Sequence, residues 1–168
     1  MSRPTRIVRL FLLLMSALAA AIPVTAQTIL LAVGETANGT PLAPPLPTGE
    51  GVAGSLFDIG FIIFDLPGDV PSRGLSELIG VARSAGADLV LDVRVQYSDR
   101  PIGAGATRIS GTAVFTLADA ASGVVKAKGE EAATNANREK DMDRAALGQE
   151  IGRMLAARIR DALSPASH

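Results

Sequence analysis

The chain has no cysteine, no tryptophan, one tyrosine and one histidine among its 168 residues. Each scarcity removes a class of chemistry. Without cysteine there is no disulfide framework, no thiol nucleophile and no thiolate metal site. The single histidine is His168, the last residue, so a histidine-based nucleophile system has no base to rely on. A zinc centre needs Cys or His in numbers that this chain does not have, so no metal and no cofactor are expected. With Tyr97 the one residue among Tyr and Trp, the aromatic substrate-binding residues usual in a paired-carboxylate hydrolase are scarce. Charge is nearly balanced, at 16 basic against 17 acidic residues. No long basic run is present, and nucleic acid is not an expected partner.

What the chain does have begins with an export signal. Arg3, Arg6 and Arg9 precede an apolar run from Leu10 to Ala21, and Val24-Thr25-Ala26 gives small residues before Gln27. The run is shorter than the about 20 apolar residues that span a bilayer, so residues 1–26 are expected to be a cleaved signal peptide. Cleavage would remove three of 16 basic residues and no acidic ones, leaving 13 against 17 and a charge of about −4. With no cysteine to accept lipid, the mature protein is expected to be exported and soluble, periplasmic or secreted, with no membrane anchor. Residues 27–163 are expected to form one domain, and 164–168 a disordered tail.

The pattern is clearest between Leu75 and Tyr97. Leu75, Leu78, Ile79 and Ala82 repeat at helical spacing, and Gly86 suits a left-handed helix stop. The period then changes to two. Leu89, Leu91, Val93, Val95 and Tyr97 point one way, and Asp88, Asp92, Arg94 and Gln96 the other, with Val90 the exception.

Thr28 to Val33 reads as a strand buried on both faces. Gly34 to Thr48 reads as a linker, because Pro41, Pro44, Pro45 and Pro47 fall in it, and Asn38-Gly39-Thr40 reads as a turn rather than a glycan acceptor. Val52, Ala53, Leu56 and Phe57 mark a short helix that Gly60 ends. Phe61 to Phe64 is a second strand, apolar on both faces, and Ser72 is the expected N-cap of the next helix. Asp99 to Gly105 is an expected loop. Arg108 to Leu117 and Val124 to Glu131 follow as strands, the latter an edge guarded by Lys126, Lys128 and Glu130. Asp141 to Leu163 is a long helix with Leu147, Ile151, Leu155, Ile159 and Leu163 on its apolar stripe.

These elements predict an α/β fold of three layers. Its mixed five-stranded sheet has the order 2-1-3-4-5, with the first three strands parallel and the last three antiparallel. Helices cover both faces. The helix from Ser72 and the C-terminal helix are expected to share the face of Leu89, Leu91, Val93, Ile109 and Phe115. The opposite face would then be polar and partly open, with Asp92, Arg94, Gln96, Ser110, Thr112, Thr116, Lys126, Lys128 and Glu130 as a candidate partner surface. Asp58, Asp65 and Asp69, around the end of the second strand, are the weaker candidates for a ligand site.

Residues Gly86-Ala87-Asp88-Leu89-Val90-Leu91, Phe115-Thr116-Leu117-Ala118-Asp119 and Ser122-Gly123-Val124-Val125 resemble bacterial envelope domains. The group includes the N-terminal domain of TolB, the curli secretion lipoprotein CsgG and the penicillin-binding-protein activator LpoB. The resemblance implies a mixed sheet between helices and a non-catalytic binding or assembly role with an envelope protein partner. The lipid-bearing cysteine and the TolB propeller are absent, so no functional residue transfers. The alternative is a small-ligand binder or a carboxylate-dependent hydrolase. The sequence does not set an oligomeric state.

Overall fold

The computed structural model describes residues 26–44, 46–66, 73–103, 106–134 and 144–164. Residues 1–25 of the signal segment, Asp69, Ser72, Asp141 and the tail beyond Ser164 therefore lie outside the described residues.

Among the described residues, six strands and three helices follow one another along the chain. β1 (Thr28–Ala37) is followed by the two-residue β2 (Thr40–Pro41), α1 (Pro47–Asp58), β3 (Ile62–Asp65) and α2 (Leu75–Ala85). Then come β4 (Leu89–Gly103), β5 (Ala106–Asp119), β6 (Val125–Thr134) and α3 (Arg144–Leu163). β1 pairs in parallel with β3 on one side and β4 on the other, and β4, β5 and β6 form an antiparallel meander.

The sheet has six strands where five are predicted, because the proline-rich stretch is not all linker. β1 runs on to Ala37 and turns back at Asn38 and Gly39, whose φ angles are 50° and 82°. Both central residues are left-handed, as a two-residue hairpin turn requires, and β2 pairs antiparallel with the end of β1. Pro41 is tolerated because β2 lies at the sheet edge. The expected loop from Asp99 is likewise strand: β4 and β5 stay paired out to Gly103 and Ala106, with a register irregularity near Pro101. Backbone pairing there outruns the buried core, so apolar alternation gave no sign of it. The first residue before α2 is Gly74, which takes the N-cap place expected of Ser72.

Layering corrects a second expectation. α2 does not share a face with the C-terminal helix. α1 and α3 lie together over Ile29, Leu31, Val33, Leu89, Leu91, Val93, Phe115 and Leu117, while α2 covers Leu30, Ala32, Val90 and Ala120 on the reverse face. β3 and β4 flank β1 on opposite sides, so two right-handed crossovers put α1 and α2 on opposite faces. Val90, the break in the β4 alternation, is the residue that α2 packs against.

α1 and α3 approach closely because both present glycine. A Cβ on Gly152 would stand 2.4 Å from the Gly51 carbonyl carbon and 2.5 Å from the Val52 nitrogen; one on Gly148 would stand 2.7 Å from Pro47. Only hydrogen fits at these positions.

Candidate functional site

α2 is 11 residues long and β4 is 15. At helical and extended rises these are about 16 Å and about 50 Å. Among the described residues one short helix therefore covers only the upper part of the α2 face. The remainder is a polar surface in cross-strand rows. Ala32, Asp92, Thr116 and Lys128 form one row, Gly34, Arg94, Val114 and Glu130 the next, and Thr36, Gln96, Thr112 and Ala132 the third. A groove of ≈ 370 Å³ runs over them, lined by Gly34, Thr36, Arg94, Gln96, Thr112 and Val114. Gly34 contributes no side chain beside Arg94, which deepens the floor.

Asp92 and Arg94 lie on the same side of β4 and form an ion pair of 2.8 Å. Arg94 also donates to the Arg73 carbonyl at 3.0 Å, at the entry to α2. Burial pushes the Asp92 carboxyl above its ordinary pKa, and the Arg94 charge partly offsets this. The pair sits where covered sheet gives way to open sheet. Gln96, Val114, Lys128 and Glu130 are exposed, and Thr112 and Thr116 half-buried. Ser110 donates to the Ser98 carbonyl at 3.5 Å, out on the β4–β5 hairpin. Lys126 lies 3.7 Å from Asp119 at the turn before β6, away from the groove. The structure thus brings Arg94, Gln96 and Thr112 together, with Asp92, Thr116 and Lys128 one row above, and leaves Ser110 and Lys126 at the two ends.

Asp58 and Asp65 do not share a groove. Asp58 lines a shallow groove of ≈ 230 Å³ between α1 and α3 with Glu50, Ser55, Gln149 and Arg153, and Asp65 is not part of it. Among the described residues no group of three or more His, Cys, Asp or Glu is placed to hold a metal ion.

One polar cluster has no counterpart in the sequence reading. Glu35, 1% exposed, accepts from the backbone N–H of Thr48 at 2.8 Å and of Gly49 at 3.0 Å. It thereby caps α1, whose N-cap residue Leu46 has no side chain to do so. Thr48 Oγ1 and the Tyr97 hydroxyl share a 2.6 Å hydrogen bond. Arg144 stands 5.7 Å from the Tyr97 ring centre and pairs with Asp99. Burial raises the Glu35 carboxyl above its usual value, and it pushes the Tyr97 hydroxyl up to about 12. The available signal was parity: Glu35 continues the series Ile29, Leu31, Val33 and so belongs to the buried side of β1. The cluster ties β1, β4, α1 and α3 together, and Glu35, Thr48 and Tyr97 are all buried, so its role is structural.

No protein-family model and no curated protein matches the chain. Solved structures do. The hypothetical protein CT253 from Chlamydia trachomatis aligns at a TM-score of 0.59 and 11% identity, over 83% of this chain and 99% of that one. The PelC dodecamer from Paraburkholderia phytofirmans aligns at 0.54 and 17% identity, over 86% of this chain and 94% of that one. The LpoB C-terminal domain from Salmonella enterica reaches 0.48 and 22% identity, over 71% and 92%. The last is too distant to add weight, and the first two establish one thing: this chain shares their α/β fold.

Proposed function

We propose that the chain is an exported, non-catalytic binding module of the bacterial cell envelope, taking a protein partner on the uncovered part of the α2 face. The observation that carries this reading is the incomplete cover of that face by the described residues. A groove lined by a half-buried arginine, a glutamine, threonines and the exposed Val114 offers hydrogen bonds and a small apolar contact without a reactive pair. The Arg3, Arg6 and Arg9 segment ahead of an apolar run supports export. The resemblance to the TolB, CsgG and LpoB group supports the envelope setting, and the absence of a usable histidine or any cysteine supports a role without catalysis.

In-cell crosslinking followed by pull-down tests the reading. The wild type is expected to capture an envelope protein, and the double variant Arg94→Glu, Val114→Glu to lose that capture while remaining folded. Recovery of no envelope protein above background, or equal recovery by the variant, would overturn it. A small-ligand reading rests on the groove holding Asp58, Glu50 and Arg153. It requires that Asp58→Asn abolish a ligand-induced melting shift.

A further inference from the structure

The two edges of the sheet are built differently. β6 carries Lys126, Lys128 and Glu130, exposed charges of the kind that discourage pairing with another chain. β3 carries none before Asp65. Its sequence is expected to be buried on both faces, yet Ile62 is 47% and Phe64 39% exposed, because α2 reaches Leu30 and Val90 but not the strand outside them. Phe57 and Ile59, just before β3 in the chain, are 70% and 40% exposed. Half of the eight exposed large apolar side chains among the described residues therefore belong to one eight-residue stretch, Phe57 to Phe64.

We propose that β3 pairs with β3 of a second copy of this chain, in an antiparallel register centred on Ile63. The backbone decides the register. Ile62 N–H donates to the Gln27 carbonyl at 3.0 Å and Leu66 N–H to the Leu31 carbonyl at 3.1 Å, both toward β1. Strand alternation then turns the N–H and C=O of Ile63 outward, to the side where no described strand pairs. Two such residues facing each other across a two-fold axis exchange two hydrogen bonds. Asp65 N–H turns outward as well and meets the Phe61 carbonyl of the second copy; the Phe61 N–H is already used by the Leu56 carbonyl. In this register Ile62 lies directly opposite Phe64 of the second copy, in a non-hydrogen-bonded pair where side chains are closest. Each exposed apolar residue of the strand thus covers the other.

The same reasoning disfavours a β3 to β6 contact, which would set Ile62 and Phe64 beside Lys126, Lys128 and Glu130. It also makes the assembly closed rather than filamentous, since the interface is self-complementary. The two-fold axis stands perpendicular to the continuous sheet, so both open α2 faces look the same way. The dimer would present two copies of the groove to one partner surface.

Two measurements test the proposal. By sedimentation equilibrium across a concentration series, the wild type is expected at twice the chain mass and Ile63→Pro at the mass of one chain. Proline at 63 removes an N–H that points away from β1, so the far-UV circular dichroism of this variant should be unchanged. A wild type that stays single, or an assembly of any size that Ile63→Pro leaves intact, overturns the proposal. Because the chain has no cysteine, register is read separately. Ile62→Cys and Phe64→Cys proteins are mixed under mild oxidant and are expected to form a disulfide-linked dimer far faster together than either does alone. Equal rates in the mixture and in the separate proteins would also overturn it, whatever becomes of the proline variant.

Discussion

Gly86 has φ 73° and ψ 23°, and its N–H and that of Ala87 close the last turn of α2 onto Ala82 and Arg83. Valine there must adopt a left-handed backbone that its branched side chain resists. Gly86→Val is expected to lower stability by about 1–2 kcal/mol, read as a fall in the urea midpoint with unchanged slope. An unchanged midpoint would remove Gly86 from its role as the cap. Glu35 works in the opposite direction, toward a pH effect. Its folded pKa is raised above 4.5, so its contribution to stability is complete below that value and is lost as pH rises through the folded pKa. Glu35→Gln keeps an acceptor for the Thr48 and Gly49 N–H groups and removes the titration. The stability of the variant relative to wild type should rise as pH increases above 4.5, measured by urea unfolding at each pH. A gap that stays constant with pH would show that the Glu35 carboxyl is not raised by burial.

Among the elements, the α1–α3 contact depends most on particular residues. Gly148 and Gly152 are four apart on α3 and meet Pro47, Gly51 and Val52 of α1 backbone to backbone. A methyl group at Gly152 has no flexible side chain to displace. Gly152→Ala is therefore expected to cost ~3 kcal/mol, at the upper end for overpacking, even though alanine favours helix. A melting temperature equal to or above that of wild type would mean that the helices can part at little cost. This contact was written in the sequence as two glycines at helical spacing, but the pattern alone does not say which helix they face. β4 is legible through Tyr97 because burial enforces its alternation. Its outer portion is not, since a solvated hairpin needs only backbone pairing and accepts almost any side chain. The Asn38-Gly39 turn belongs to the same class: the turn is readable, whereas the strands on either side of it are recognisable only once β1 is known to extend past Val33.

For the molecule as a whole, the asymmetry of its surfaces matters most. One face is closed by two helices and one is closed in part; one edge is charged and the other apolar. If the open face binds a partner, adding acid at Arg94 and Val114 should abolish capture while the far-UV circular dichroism stays that of the folded protein, with a lower melting temperature because Asp92 loses its cation. If the β3 edge joins two copies, the mass and cysteine measurements should respond while those face variants do not. The surfaces are separate, so each outcome bears on its own claim.

The sequence by itself determined that the sheet is mixed, that a helix stops at Gly86, and that β4 and β5 carry polar rows. All of these follow from local periodicity and from the handedness of crossovers. Only the tertiary structure decided that α3 joins α1 and leaves α2 alone, and that Glu35 replaces a missing helix cap. It alone decided, too, that the apolar residues of β3 are half exposed. Each of these depends on which surface happens to be covered by another element, and coverage is a relation between segments far apart in the chain.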